Sequence, residues 1–278
     1  MRAVLICPHQ RRKVPLLAAG QPLAAAPALG QGIVEYWMSH LACNRVEQTV
    51  ILSSDRTEEV RRIVGDGSRW GVAAEVIDEA QELEPDEAAE KYEGAASVMD
   101  HFPGLSTYPL FCGYDAWFEG LEAWIPLADS PDRVGLRELR PGVWTGLHAR
   151  ISPKAILRPP CWLGDYVYVG PGAVIGPRSI VEKGAFVEPE ANIEGSLVGP
   201  ATFVGRYVQL KNSLAWGCTL VDWPSGVETK VADTFVLCSL RRSATQPPAP
   251  GFLDRIADLV GKWIFEEPIE QAAGFIKR

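Results

Sequence analysis

Residues 161–187 read CWLGDYVYVGPGAVIGPRSIVEKGAFV, and an aliphatic residue stands at every sixth position of this stretch. The same period runs from 145 to 227, with two steps of five, at Ile151, Leu157, Leu163, Val169, Ile175, Val181, Val187, Ile193, Val198, Val204, Leu210, Ala215, Val221 and Val227. An α-helix repeats every ~3.6 residues and a half-buried strand every ~2, so neither explains this period. A hexapeptide repeat is typical of a parallel β-helix, in which each unit forms one side of a coil.

Small residues accompany the aliphatic ones. Glycine follows the aliphatic position at 164, 170, 176, 199 and 205. We expect these glycines at the corners of the coil, where a larger side chain would clash.

This repeat resembles the left-handed β-helix of hexapeptide-repeat proteins, with three six-residue sides per coil and roughly four and a half coils. Two families of enzyme carry such an element: acyltransferases that work on its surface, and sugar-nucleotide pyrophosphorylases that append it. The remainder of the chain has to distinguish between them.

Composition excludes several classes of protein. The formal charge of −8 gives no electrostatic reason to expect nucleic-acid binding. No apolar run approaches the roughly 20 residues that span a bilayer, and the N-terminus does not have the order of a signal peptide. The six cysteines contain no Cys-x-x-Cys pair and are interpreted as reduced packing residues of a cytoplasmic protein.

The N-terminal part alternates short apolar stretches with amphipathic ones. The pattern predicts strands at 2–7, 46–52 and 72–77, and helices at 31–43 and 57–64, the second helix capped by Asp55. Such alternation is typical of an α/β fold with a doubly wound parallel sheet, whose ligand crevice lies beyond the carboxyl ends of the strands. Here that crevice would be at the loop after Cys7.

At this point the residues resemble the nucleotidyltransferase family that makes nucleotide-sugars, in particular its mannose-1-phosphate guanylyltransferase-like branch. Pro22 aligns with the family proline, Pro27 and Gly30 with its turn, and residues 33–36 (Ile-Val-Glu-Tyr) with the start of its helix. Residues 65–72 match its Gly-Asp-Gly-Ser-x-x-Gly-Val segment. The resemblance covers about 1–80 and, through the β-helix, 145–238. It implies a shortened nucleotidyltransferase-like domain followed by a left-handed β-helix.

The chain departs from this family where the chemistry would be. The loop after the first strand, residues 7–13, has no glycine, and Pro8 opposes the sharp turn that cradles phosphates. Lys13 stands for the family arginine, and Leu23 for the family lysine. Asp100 is a weak candidate for the family's Mg²⁺ ligand, so Mg²⁺ is expected only if the protein is active.

We therefore expect little or no nucleotidyl transfer, since phosphoryl chemistry depends on positioning and charge neutralisation. An anionic ligand such as a nucleotide or sugar phosphate is expected at the loop, through Pro8, His9, Gln10, Arg11, Arg12 and Lys13. No catalytic residue is assigned; Lys13 and His148 are weak candidates, and no metal site is expected. The acidic stretch at 78–93 is interpreted as a solvated face.

Two further features bear on the alternatives. An acyltransferase needs a general base that projects from a coil, and the histidine near the repeat is His148. A zinc site on such a coil needs three histidines, and the repeat contains one, His148, so a zinc site is excluded. The aromatic run Tyr114, Trp117, Phe118 and Trp124 could stack on a sugar or base, but a role in the core or at a domain interface is favoured.

The predicted organisation is a nucleotidyltransferase-like α/β domain at 1–143, a β-helix at 144–240, and a Pro-rich linker with a capping helix at 241–278. The preferred function is a nucleotide-sugar nucleotidyltransferase homologue in nucleotide-sugar or surface-polysaccharide metabolism, with a ligand-binding or scaffold role. The alternatives are an active sugar-1-phosphate nucleotidyltransferase and a hexapeptide-repeat acyltransferase. Self-association through the β-helix, or a partner polysaccharide enzyme, is expected.

Overall fold

The computed structural model describes residues 2–127 and 135–241. Residues up to Leu240 belong to one compact unit. The capping helix predicted near 252–263, and nearly all of the linker before it, lie outside the described residues.

The N-terminal part contains a parallel sheet of four strands in the order β5-β4-β1-β6. Its elements are β1 (Arg2–Ile6), β2 (Pro27–Ala28), β3 (Gln31–Gly32), α1 (Ile33–Cys43), β4 (Gln48–Ser53), α2 (Thr57–Val64), β5 (Ala73–Asp78), α3 (Pro85–Tyr92), β6 (Ala95–Val98) and α4 (Tyr114–Trp124), with 3₁₀ turns at Leu23–Ala25, Ser68–Trp70 and Ile125–Leu127. The three predicted strands and two predicted helices are confirmed. The prediction that Asp55 caps α2 is wrong: Arg56, in a left-handed conformation, precedes α2, and no side chain caps the helix.

Successive residues of a strand point to opposite faces of the sheet, and helices cover both faces. Leu5 and Ile51 pack in one hydrophobic cluster with residues of α1 and α2. Val4 and Ile6 pack on the other face with Ala88 of α3. Because all four strands are parallel, the carboxyl ends of β1, β4, β5 and β6 lie at the same edge of the sheet.

The hexapeptide region forms three sets of parallel strands, consistent with a β-helix. We call residues 143–216 the coil. Cys161 pairs with Ser179, 18 residues on, whereas Ile180 pairs with Leu197, 17 residues on, because one step of five falls between them. The strands are β7 (Arg137–Arg140), β8 (Val143–Thr145), β9 (Arg150–Ile151), β10 (Ile156–Leu157), β11 (Cys161–Leu163), β12 (Tyr168–Val169), β13 (Val174–Ile175), β14 (Ser179–Val181), β15 (Phe186–Val187), β16 (Asn192–Glu194), β17 (Leu197–Val198), β18 (Thr202–Val204), β19 (Gln209–Lys211) and β20 (Ser213–Trp216).

The glycines after the aliphatic positions are explained by close packing between successive turns of the coil. A Cβ on Gly164 would lie 2.7 Å from the backbone nitrogen of Lys183 in the next turn of the coil. Non-glycine residues also adopt left-handed backbone conformations at corners, among them His148 (φ 56°) and Tyr166 (φ 56°), one above the other. The sequence did not reveal that such residues would occupy these corners.

The coil ends earlier than the repeat predicts. Strands β21 (Thr219–Asp222) and β22 (Glu228–Lys230) run antiparallel to their neighbours, and β23 (Leu237–Ser239) pairs antiparallel with β18. Gly217 (φ 59°) and Cys218 form the turn between β20 and β21. The expectation that Val221 and Val227 continue the coil is therefore wrong, because the chain reverses before them.

One side of the coil packs against the N-terminal part. Trp162, Ile180 and Leu197 point outward from this side and share a buried cluster with Trp117 and Leu121 of α4. The aromatic run at 114–124 therefore contributes to an interface between the two regions, as the sequence favoured. Across the same interface, Arg178 donates to both carboxylate oxygens of Glu122, at 2.8 to 3.0 Å.

A buried carboxylate completes this interface. The side chain of Glu182 is fully buried and accepts from the backbone N–H of Leu29 (2.6 Å) and of Gly30 (2.9 Å). Leu29 and Gly30 are both left-handed, at φ 48° and 84°, so their N–H groups converge as an anion-binding nest. The turn predicted at Pro27–Gly30 is thus held by a carboxylate from the coil.

All six cysteines are free thiols, and Cys7, Cys161 and Cys238 are buried. Burial raises the pKa of Cys7 and of Cys161 to about 12, so neither thiol is a nucleophile near neutral pH. Among the described helices, none combines the length and apolarity needed to cross a membrane.

Candidate functional site

The loop after β1, residues 7–13, lies at the carboxyl edge of the sheet and is tied to its neighbours by side chains. The guanidinium of Arg11 donates to both carboxylate oxygens of Glu82, each at 2.7 Å, and the backbone N–H of His9 donates to the same group at 2.9 Å. This pairing raises the pKa of Arg11. Gln10 donates to Asp55 at 3.3 Å. The role of Glu82 was not predicted from the sequence, because this residue lies in an acidic stretch interpreted as a solvated face.

The predicted loop residues therefore have different environments. Pro8 is buried, and its part in ligand binding stays a prediction. His9 is exposed, and its Nδ1 lies 3.2 Å from the hydroxyl of Ser54. Arg11 is bound by Glu82. Arg12 and Lys13 are exposed and face a separate pocket.

This pocket, called here the hairpin pocket, has a volume of about 380 Å³. It lies where the loop, the start of α4 and the β21–β22 hairpin meet, and its lining residues are Arg12, Lys13, Pro15, Cys112, Gly113, Tyr114, Asp115, Val221, Asp222, Trp223, Gly226 and Glu228. The loop was predicted to bind a ligand, but the hairpin residues were not. The sequence signal that could have located them is the turn at Gly217, which the repeat interpretation overlooked.

Two aromatic residues hold the walls of the hairpin pocket. The hydroxyl of Tyr114 accepts from the backbone N–H of Leu16 (3.0 Å), which fixes the segment that follows the loop against α4. Burial, with the nearby charge of Glu228, raises the pKa of Tyr114 to about 12. Trp223 stacks on Phe118 at 5.5 Å and donates through Nε1 to the carbonyl of Gly195 (3.0 Å). The hairpin is therefore fastened both to α4 and to the coil.

Asp100 follows β6 at the same edge of the sheet. Its carboxylate lies 2.7 Å from Nδ1 of His101, and the ring of His101 packs on Trp37 at 5.3 Å. Across residues 2–127 and 135–241, no group of three or more His, Cys, Asp or Glu side chains is arranged to hold a metal ion. The role of Asp100 as a Mg²⁺ ligand therefore stays a prediction from the sequence.

His148 lies on the coil, away from the hairpin pocket. Its exposed ring stacks on Tyr166 with centroids 5.0 Å apart, and the ammonium of Lys183 lies 6.0 Å from the Tyr166 ring. Four turns further along the coil, the corner equivalent to that of His148 lies at Gly217. At ~4.8 Å per strand spacing, His148 is about 19 Å along the coil from the hairpin. The two places are therefore distinct.

No protein-family model matches the sequence, and no curated protein sequence matches it significantly. The chain aligns with solved structures of N-acetyltransferases from Caulobacter crescentus, each in complex with CoA and GDP-perosamine. They include a histidine-to-asparagine variant of perosamine N-acetyltransferase (15% identity), a histidine-to-alanine variant (16%) and PerB (16%). Each alignment covers 62% of this chain and 94% or 95% of the other, with a TM-score of 0.22. A TM-score this low carries no argument about function.

The predicted nucleotidyltransferase function is supported by none of these comparisons. The geometry of the loop agrees, because the N–H of His9 and the guanidinium of Arg11 are both engaged by Glu82 and are not available to a triphosphate. The preferred sequence-based function is therefore wrong.

Proposed function

We propose that the protein is a hexapeptide-repeat acyltransferase with a left-handed coil, which moves an acyl group from a coenzyme A thioester to a hydroxyl or amino group of a sugar derivative. The observation that carries the proposal is His148, an exposed imidazole at a corner of the coil, with its ring stacked on Tyr166. An imidazole is a suitable general base near neutral pH.

In the proposed reaction, His148 accepts the proton of the acceptor's O–H or N–H as that atom attacks the thioester carbonyl. The new C–O or C–N bond forms and the C–S bond breaks. The coenzyme A thiolate leaves and takes the proton back from the imidazolium. Lys183, which lies one turn beyond Tyr166 and two turns beyond His148, supplies a positive charge near this corner that suits the phosphates of the coenzyme.

The other three histidines are less suited to this role. His9 lies beside Ser54 in the loop, His40 packs on Trp37 at 5.9 Å, and His101 packs on Trp37 beside Asp100. Each belongs to the N-terminal part. His148 is the histidine that the coil itself presents, which supports its assignment as the base.

The test is thiol release from acetyl-CoA in the presence of amino and hydroxyl sugar derivatives, including sugar phosphates and nucleotide-linked amino sugars. We expect turnover with at least one acceptor, and a ~10²–10⁴-fold lower kcat for His148→Ala, the range typical of a lost general base. Glu190→Ala, at an exposed left-handed corner on another edge of the coil, is the matched control and should retain the rate. Absence of turnover with every acceptor, or an unaltered rate in His148→Ala, would overturn the assignment.

A further inference from the structure

We propose that the hairpin pocket binds a monosaccharide carrying a single phosphate. This binding goes beyond the proposed acyl transfer, because the hairpin pocket is remote from His148 and needs no thioester. Three properties of the hairpin pocket carry the proposal: unpaired cations on one wall, carboxylates and an aromatic ring on the other, and its volume.

The cationic wall is formed by Arg12 and Lys13. Within residues 2–127 and 135–241, neither of these side chains forms an ion pair, whereas the adjacent Arg11 is held by Glu82. Two neighbouring cations without a carboxylate partner complement a phosphate monoester, which carries about −1.5 to −2 charge near pH 7. Arg12 can offer two parallel N–H donors, and Lys13 a point charge.

The opposite wall suits hydroxyl groups. Asp222 and Glu228 belong to the β21–β22 hairpin, and their carboxylates can accept from sugar O–H groups. Asp222 is already oriented, since its carboxylate accepts from the backbone N–H (3.0 Å) and hydroxyl (2.6 Å) of Ser225. Trp223 offers an aromatic surface for the apolar C–H face of a sugar ring.

Charge and size together select a compact ligand. The three carboxylates that line the hairpin pocket, Asp115, Asp222 and Glu228, would repel the additional negative charges of a diphosphate or triphosphate. The volume of about 380 Å³ is that of roughly a dozen liquid water molecules. That space suits a hexose phosphate, whereas a nucleotide-linked sugar, about twice as large, would extend out of the hairpin pocket.

The test is isothermal titration calorimetry of the full chain, without any thioester, against glucose 1-phosphate, mannose 1-phosphate, glucose, inorganic phosphate and GDP. We expect at least one sugar phosphate to bind ~10-fold or more tightly than glucose, inorganic phosphate or GDP. Arg12→Ala and Lys13→Ala should each weaken that binding ~10-fold or more, the loss expected for a charge-assisted hydrogen bond. Arg150→Ala, which removes an exposed cation from the coil, is the matched control and should bind as the unaltered protein does.

A second variant separates the two walls. Glu228→Ala should weaken binding of the sugar phosphate while leaving the affinity for inorganic phosphate unchanged or higher, because it removes a negative charge and a hydroxyl acceptor together. The proposal is overturned if neither sugar phosphate binds, if GDP binds as tightly, or if the Arg12 and Lys13 variants bind like Arg150→Ala. Since no thioester is present, failure here is distinguishable from failure of the acyl-transfer assay.

Discussion

Two sides of the coil have inward residues of the same kind, small or aliphatic, but their outward residues differ in polarity and burial. On the side made by β8, β11, β14, β17 and β20, the outward residues Trp162, Ile180 and Leu197 are 1% exposed or less. On the side made by β10, β13, β16 and β19, the outward Ile156 is 50% exposed, and polar Asn192 and Gln209 follow it up the stack.

This difference separates what builds the coil from what the coil binds. The inward aliphatic residues fill the interior on every side, so a repeat of six suffices to specify them. The outward residues are free of that constraint. Where they are large and apolar, burial against another surface stabilises the protein, and here that surface is the N-terminal part, including α4.

The largest effect is expected from Trp162→Ala. Trp162 is fully buried between the coil and the N-terminal part, so its truncation leaves a cavity that should lower the free energy of unfolding by about 3–5 kcal/mol. Ile156→Ala, on the exposed side, is the control and should change it by less than ~0.5 kcal/mol. Urea unfolding measures both. Equal losses of stability in the two variants would show that the covered and exposed sides of the coil do not differ in their contribution to folding.

A smaller effect is expected from Glu182→Ala. This change leaves the backbone N–H groups of Leu29 and Gly30 without their acceptor, and should lower the free energy of unfolding by about 2–3 kcal/mol. Glu190→Ala, at an exposed corner, should have almost no effect on stability. Hydrogen exchange of the Leu29 and Gly30 amides provides a local reading, and protection unchanged in Glu182→Ala would contradict the role assigned to this carboxylate.

The smallest effect concerns Tyr114, at the edge of the same interface. Its pKa of about 12 in the folded protein exceeds the value of about 10 expected in the unfolded chain. The unfolded state therefore loses this proton first, so the stabilisation is fully present below about pH 10 and is lost as pH rises through about 12. Unfolding measured from about pH 9 to 12 should show a decline in the unaltered protein that is weaker in Tyr114→Phe. The same decline in both proteins would show that Tyr114 is not its source.

The parts of the fold that sequence predicted well are those set by local pattern. The period of six at residues such as Leu163, Val169 and Ile175 predicted the coil strands, and alternation of apolar and amphipathic stretches predicted β1, β4 and α1. The prediction failed at Val221 and Val227, where aliphatic spacing persists by coincidence after the chain has reversed at Gly217. Periodicity does not report chain reversal.

The candidate sites depended far more on long-range contacts. The sequence picked out the loop at 7–13 as a group of cations, but Arg11 and Lys13 look alike in sequence and differ only through Glu82, 71 residues from Arg11. Asp222, Trp223 and Glu228 join that loop through a hairpin more than 200 residues away. No local signal connects them.

The amino-acid pattern alone was sufficient to identify the residues that face the interior of the coil, because a regular backbone repeat places every sixth side chain in the same environment. It also determined the alternating N-terminal strands and helices. Three features required the folded structure: which side of the coil is covered, the binding of the turn at Leu29 and Gly30 by Glu182, and the position of Arg12 and Lys13 facing the hairpin. These outcomes depend on contacts between distant segments, whose energies are set by shape and charge after the chain has folded.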